Sequence, residues 1–315
     1  MQTLHIELKS KSDSFVEFRY YWDNPNDFRK RTLELSEITD LLKAAELDYY
    51  TPLPEDFAKI GRKLFNWLDG SDRHLAEMLE PFQCNEGLII AISTAGKLAH
   101  LPWELLHDGL VFLVERSLIP VRWFPKTSQG KVEPANRPLR VLFMAASPLG
   151  VEPVLNFEAE EAMILDATKE QPLQLEVEES GCLTGLGNVV KSNKLGYFDV
   201  LHLTGHAVIK DGQPRFLTEK ETGERHYASA EDIAQALAFR FRTPRLVFLS
   251  GCRTGQAAKA GDVPSMAEAL LQQGATAVLG WGRTVLDTSR GDKTAEKYSQ
   301  QEIYAATNMK KLPEK

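Results

Sequence analysis

The 315-residue sequence contains 43% hydrophobic and 26% charged residues, a composition typical of a globular protein with about two domains. Its net charge of −7 argues against nucleic acid or an anionic membrane surface as a direct partner. No apolar run approaches the roughly 18 residues that span a bilayer, and the first residues lack the pattern of a secretory signal. Three widely spaced cysteines, Cys84, Cys182 and Cys252, predict neither a disulfide framework nor a zinc site, so we expect a reduced, cytoplasmic setting.

The first part of the chain predicts a small α+β region. Apolar and polar residues alternate from Phe15 to Tyr20, which indicates a half-buried strand. Apolar residues at helical spacing, such as Leu64 and Leu68, predict amphipathic helices. The predicted helices cover 33–47 and 56–68, and the predicted strands after them cover 88–92, 110–114 and 118–123.

The sequence pattern changes at residues 126–137. This segment is polar, contains Gly130 and Pro134 and lacks apolar periodicity, as a linker does. Strands and helices alternate after it, which predicts a mostly parallel sheet with helices on both faces. The expected fold class is therefore α/β, a three-layer αβα sandwich preceded by the smaller α+β region. The predicted strands cover 139–146, 173–177, 200–204, 246–249 and 275–281, and the predicted helices cover 157–169, 186–192, 229–237 and 265–273.

Two segments, Asp199–Ala207 and Arg245–Gly255, place a histidine and a cysteine directly after predicted strands. The carboxyl ends of neighbouring parallel strands share one edge of a sheet, where open α/β folds place their chemistry. His206 precedes Cys252 by 46 residues. The histidine and cysteine of caspases are separated by a similar distance in sequence, about 50 residues. A neutral imidazole beside a thiol generates the attacking thiolate. The pair predicts a cysteine peptidase.

The surroundings of Cys252 favour a nucleophile over a small buried hydrophobe, the commoner role of a cysteine at a strand end. Ser250, Gly251 and Gly255 are small, so a substrate backbone could come close. Arg253 adds a positive charge that favours the thiolate.

Two histidines compete for the role of the base. His202 lies inside a predicted strand, where we expect a structural histidine bonded to a neighbouring backbone group. A metal site of the His-x-x-x-His type requires a helix, which this β-rich segment does not predict. His206 stands where the strand gives way to a loop, so we predict that it is the base.

The remaining parts of the predicted site are backbone groups. No acidic side chain next to His206 in the sequence orients it, but a dyad works without one if the backbone fixes the imidazole. We expect the N–H groups of Cys252 and Ala207 to stabilise the oxyanion, at roughly 3 kcal/mol each. No metal and no cofactor are expected. The carboxylates of Glu158, Glu160 and Glu161 are most simply the solvated face of a helix, with one or two ties to loops.

The chain resembles the CHAT family of caspase-like proteins, which are found associated with tetratricopeptide repeats. The resemblance covers residues 50–290 and implies the fold of caspases, separases and gingipains, with His206 as the base and Cys252 as the nucleophile. The motifs that carry it, in chain order, are Leu101–Gly109, Leu201–Ala207, Leu249–Gly255 and Gly274–Trp281, followed by Val285 and Asp287.

The resemblance also implies a division of the chain. Residues 1–125 are expected to form a degenerate, pseudo-peptidase half, 126–137 the linker, 138–290 the catalytic domain, and 291–315 a polar tail that is truncated or divergent. Relatives that cut after Lys or Arg line the pocket for that residue with acidic side chains. One such position is Ser250 here, which leaves Asp262 and Asp287 as the candidates for substrate binding.

The expected function is specific cleavage of one partner protein through a thioester intermediate, within a larger signalling or defence system. A protein or peptide is the expected substrate, and a tetratricopeptide-repeat or other regulatory module outside the chain is an expected partner. Two alternatives stay open at this point. One is a catalytically idle scaffold for protein interactions, and the other is an acyltransferase or non-peptide hydrolase that uses the same dyad.

Overall fold

The computed structural model of the protein describes residues 2–22, 24–46, 57–82, 87–124, 136–170, 172–237, 244–251 and 265–280. These residues form two compact units, one within residues 2–124 and one within residues 136–280, and each has its own buried core. Within these described ranges, no helix is long and apolar enough to cross a membrane. Most of the predicted linker, residues 126–135, and the whole predicted tail, residues 291–315, lie outside the described residues.

The first unit is built on a five-stranded mixed sheet. Its strands are β1 (Gln2–Ser10), β2 (Phe15–Tyr21), β3 (Arg29–Glu34), β4 (Leu88–Ser93) and β5 (Leu118–Arg122). The order across the sheet is β3-β2-β1-β4-β5, with β1, β4 and β5 parallel and the two hairpin partners antiparallel. The helices are α1 (Thr39–Glu46), α2 (Phe57–Asp69) and α3 (His74–Leu79).

Helix α2 covers this sheet because its apolar residues recur on one side. Leu64 and Leu68 are almost fully buried, as helical spacing predicts. Gly61 lies on the same helix against the backbone of Leu105, and a Cβ atom added there would stand 1.7 Å from the Leu105 carbonyl oxygen. Only glycine allows this close approach.

One strand of the first unit was not predicted, and two predictions for this unit were wrong. Strand β3 is polar and buries only Leu33, so the sequence offers no alternation by which to find it. The helix predicted from residue 33 begins at Thr39 after a 3-10 turn. The strand predicted at 110–114 is instead a turn that leads into a 3-10 helix at Leu113–Arg116. The Asp108 carboxylate holds the turn by accepting hydrogen bonds from the N–H groups of Leu110 and Val111.

The second unit is built on a five-stranded sheet that is parallel throughout. Its strands are β6 (Leu139–Ala145), β7 (Leu173–Glu178), β8 (Val200–Thr204), β12 (Leu246–Ser250) and β13 (Val278–Gly280). The helices are α4 (Phe157–Ala167), α5 (Leu183–Ser192), α6 (Ala230–Ala236) and α7 (Met266–Gln272). The order across the sheet is β13-β12-β8-β6-β7.

This strand order places helices on both faces. The connection from β6 to β7 runs in one direction across the sheet, and the later connections run in the other. Since crossovers between parallel strands are right-handed, α4 covers one face, and α5, α6 and α7 cover the other. Helix α6 contacts both α5 and α7, as expected for neighbours on one face. The unit is therefore a three-layer αβα sandwich. The direction in which the connections cross the sheet changes between β6 and β8.

Side chains on β8 alternate between the two layers. Leu201 and Leu203 are fully buried in the core under α5, α6 and α7. The intervening residues, His202 and Thr204, face the side of α4. Two buried polar side chains on this face of a central strand require hydrogen-bond partners from the layer that contains α4.

A small antiparallel sheet follows β8 and was not predicted. It consists of β9 (Ala207–Lys210), β10 (Gln213–Glu219) and β11 (Arg225–Ala228), in the order β11-β10-β9. Asp211 and Gly212 join the first two strands and both have left-handed φ angles, of 53° and 70°, as a tight hairpin turn requires.

Candidate active site

His206 lies at the junction between the parallel sheet and the small antiparallel sheet. It follows Gly205 at the end of β8, and its own carbonyl accepts a hydrogen bond of 2.8 Å from the N–H of Leu217 on β10. Its ring atom Nε2 stands 2.8 Å from the carbonyl oxygen of Pro153. A carbonyl oxygen only accepts, so Nε2 carries the proton, and in the neutral ring Nδ1 keeps its lone pair.

The loop that carries Pro153 is anchored on the antiparallel sheet. The N–H of Ser147 donates to the Glu219 carboxylate at 2.7 Å, and the N–H of Leu149 donates to the Gly223 carbonyl at 2.9 Å. Both acceptors lie on β10 or in the turn that follows it. The antiparallel sheet therefore holds His206 twice, directly through Leu217 and through the loop whose carbonyl orients the ring.

The strand that leads to Cys252 lies beside the strand that leads to His206. Strands β8 and β12 are parallel neighbours, Thr204 pairs with Ser250, and the N–H of Gly205 donates to the Ser250 carbonyl at 3.1 Å. In the sequence His206 follows Thr204 by two residues, and Cys252 follows Ser250 by two. The carboxyl ends of both strands thus meet at one edge of the sheet. Cys252 itself lies outside the described residues, as do Asp262 and Asp287.

Ala207, the residue predicted to donate to an oxyanion, is the first residue of β9. In the ladder between β9 and β10, the hydrogen-bonded pair is His206 with Leu217, and Ala207 stands opposite Phe216. Hydrogen-bonded and non-bonded pairs alternate along an antiparallel ladder, so the N–H of Ala207 points away from β10. The predicted role of Ala207, donation to an oxyanion, requires an N–H that is not used by the ladder with β10.

His202 is a buried histidine whose partner was predicted wrongly. Its side chain is 8% exposed and packs between the rings of Phe143 and Phe248, with centroids 5.1 and 4.6 Å away. Its Nε2 contacts the Glu160 carboxylate at 2.8 Å and not a backbone group. Glu160 was predicted on the solvated face of α4, but it turns towards β8. The sequence held one signal of this pairing, since His202 and Thr204 share one face of a buried strand.

The Glu160 carboxylate also accepts a hydrogen bond of 2.6 Å from the Thr204 hydroxyl. Burial raises the pKa of Glu160, but the hydrogen bonds from His202 and Thr204, together with the attraction of His202, lower the pKa by more, so the net shift is downwards. The carboxylate is therefore ionised at neutral pH.

His202, on β8, and His206, just after its end, bind separate partners. The partner of His202 is the Glu160 carboxylate, and the partner of His206 is the Pro153 carbonyl. In the part of the chain that the structure describes, no three His, Cys, Asp or Glu side chains are grouped as metal ligands would be.

Comparison with known proteins agrees with this architecture. No curated protein matches the chain. Residues 58–301 match the CHAT domain, a span that begins in α2 and includes the whole parallel sheet. The match covers well over half of the 315 residues and contains all four motifs that carry the resemblance. The chain therefore belongs to the CHAT domain family, whose fold is related to that of the caspase-like peptidases.

Proposed function

We propose that the chain is a caspase-like cysteine endopeptidase of the CHAT type that uses Cys252 as its nucleophile and His206 as its base. The observation that carries the proposal is the 2.8 Å contact between His206 Nε2 and the Pro153 carbonyl oxygen. It leaves Nδ1 as the basic atom of the ring, and the ring stands at the end of the strand beside β12. A backbone carbonyl thus takes the place of the orienting carboxylate of a triad.

The first half of the mechanism is acylation. The Cys252 thiol transfers its proton to His206 Nδ1, and the thiolate attacks the carbonyl carbon of the scissile peptide. The N–H groups of Ala207 and Cys252 stabilise the oxyanion that forms. As the tetrahedral intermediate collapses, the imidazolium gives its proton to the leaving nitrogen, the C–N bond breaks and a thioester remains on Cys252.

The second half is hydrolysis of that thioester. His206 Nδ1 accepts a proton from a water molecule, whose oxygen attacks the thioester carbonyl. The C–S bond then breaks, the thiolate takes up the proton from the imidazolium, and the carboxylic acid product leaves. In both halves the Pro153 carbonyl keeps the ring in place, because Nε2 carries its proton throughout and donates it to that oxygen.

The substrate is proposed to be a specific partner protein, cleaved in the cytoplasm under the control of a regulatory module outside this chain. A catalytic thiolate persists in a reducing compartment, which supports the location. Asp262 and Asp287 are proposed to contact the substrate side chain before the cleaved bond. The support for these assignments is the order of the CHAT motifs in the sequence.

The proposal is tested by identifying the new protein N-termini that appear in cells expressing the chain together with its regulatory partners. Wild type is compared with Cys252→Ala, and Cys182→Ser serves as the matched control because a serine keeps the helix cap that Cys182 provides to α5. New N-termini in wild type and Cys182→Ser that vanish in Cys252→Ala support the peptidase. Identical N-termini in all three would favour a scaffold, and acylated products without cleavage would favour an acyltransferase.

A further inference from the structure

One carboxylate binds the end of the strand that leads to His206, where that strand meets the one that leads to Cys252. Glu160 on α4 accepts a 2.6 Å hydrogen bond from the hydroxyl of Thr204, the last residue of β8. The same hydroxyl oxygen lies 3.4 Å from the carbonyl oxygen of Ser250, the last residue of β12. Thr204 precedes His206 by two residues, and Ser250 precedes Cys252 by two. Glu160 therefore binds the residue whose side chain contacts the equivalent position on the neighbouring strand.

The other oxygen of this carboxylate is held by His202. His202 Nε2 contacts Oε1 at 2.8 Å, and Oε2 is the atom that Thr204 reaches. The His202 ring lies between two aromatic rings, those of Phe143 and Phe248, so it has little room to move. The carboxylate is thereby held at a defined place above the strand ends.

Glu160 ties α4 to the sheet through polar contacts. No residue of α4 is fully buried, so apolar packing of this helix is limited. Hydrogen bonds to an ionised acceptor are shorter and stronger than those between neutral groups. A carboxylate that accepts two of them, from His202 and Thr204, resists displacement more than an apolar contact of the same size.

We propose that Glu160 is a positioning residue, which holds the ends of β8 and β12 at the separation that lets His206 Nδ1 reach the Cys252 thiol. The inference rests on the proposed function, because it concerns the geometry of the same dyad. Glu160 touches neither substrate nor reacting atoms in this scheme. It acts through Thr204, whose hydroxyl oxygen also contacts the Ser250 carbonyl.

The test measures the rate at which iodoacetamide alkylates Cys252 between pH 5 and pH 9, followed at that residue by peptide mapping of the full-length protein. Glu160→Gln removes the charge and one acceptor, whereas Thr204→Val keeps the charge and removes only the hydroxyl. Thr204→Ser restores the hydroxyl, and Glu158→Gln alters an exposed glutamate on the same helix. The urea midpoint of each variant reports whether it folds, and Thr204→Val carries the test if Glu160→Gln does not fold.

We expect alkylation at pH 7 to slow about tenfold in Glu160→Gln and Thr204→Val, the fold-change that the loss of one charge-assisted hydrogen bond produces. Thr204→Ser and Glu158→Gln should keep the wild-type profile. Faster alkylation in Glu160→Gln with no change in Thr204→Val would mean that the carboxylate acts by charge alone, and would overturn the inference. A profile that depends on His206 but on neither Glu160 nor Thr204 would also overturn it, with the proposed function intact. A wild-type profile independent of His206 would overturn both.

Discussion

The ring of His206 is tied to the carbonyl oxygen of Pro153, 53 residues earlier in the chain, at a distance of 2.8 Å. This contact decides which ring nitrogen carries the proton and therefore which one can accept the proton of a thiol. It also makes the base dependent on a loop, since a carbonyl of the main chain can be moved only by moving the segment around it. The position of the base therefore depends on the contacts that anchor the loop carrying Pro153.

Substituting Glu219 with alanine should weaken the proposed base without touching it. The variant loses the 2.7 Å hydrogen bond from the Ser147 N–H, one of the contacts that anchor the loop carrying Pro153. We expect the rate of Cys252 alkylation at pH 7 to fall about threefold to tenfold, as expected when a hydrogen bond to a charged group is lost.

The matched control is Glu221→Ala, in the turn after β10, and it should leave the rate unchanged. An unchanged rate in Glu219→Ala, in a protein with the wild-type urea midpoint, would show that the loop does not depend on this contact.

The stability that Glu160 contributes should depend on pH. Its pKa in the folded protein is lowered from the ordinary value of 4.5, because hydrogen bonds and the attraction of His202 outweigh burial. The ionised carboxylate therefore contributes fully to the free energy of unfolding above about pH 4.5. This contribution disappears as the pH falls through the pKa that Glu160 has in the folded protein.

Urea unfolding of wild type and Glu160→Gln measures this contribution. The free energy of unfolding should differ by roughly 2 kcal/mol at pH 7. The difference should shrink as the pH is lowered below 4.5. A difference that stayed constant down to pH 3, or that grew, would contradict the ionised, hydrogen-bonded carboxylate.

Two glycines within helices should respond oppositely to alanine. Gly61→Ala brings a Cβ atom to within 1.7 Å of the Leu105 carbonyl oxygen, so α2 must shift from its place in the first unit. We expect a loss of about 1–3 kcal/mol in the free energy of unfolding.

Gly187 in α5 is the matched control, because its nearest neighbour, the Ala236 carbonyl oxygen, lies 3.4 Å from an added Cβ. Alanine at that position should be neutral or stabilising by up to about 1 kcal/mol, the difference in helix propensity. Equal effects of the two substitutions, measured by urea unfolding, would contradict the packing of α2 described above.

The parallel sheet could be predicted because its strands are short apolar runs separated by helical patterns. The predicted strand at 200–204 and the observed β8 coincide, and the predicted strand at 246–249 differs from β12 by one residue. Their adjacency follows from the rule that sequential parallel strands tend to be neighbours. The shared edge to which both segments lead was therefore predictable.

The partners of the two histidines could not be predicted in the same way. The Pro153 carbonyl is a main-chain group that every residue carries, so no residue type marks it in the sequence. Glu160 lies in a helix with many carboxylates, and nothing in its neighbours distinguishes it from Glu158. The strands β9 to β11 are short, and the pairing of β9 with β10 depends on the turn at Asp211 and Gly212.

The most direct test of the account is whether the reactivity of Cys252 depends on His206. The rate of alkylation at Cys252 is measured against pH in wild type and in His206→Ala, with His74→Ala as a control on a partly exposed histidine of the other unit. The account predicts that wild type and His74→Ala react well below the pKa of about 8.5 of an isolated thiol, and that His206→Ala reacts only near that value. Superimposable profiles in all three proteins, each rising near pH 8.5, would contradict it.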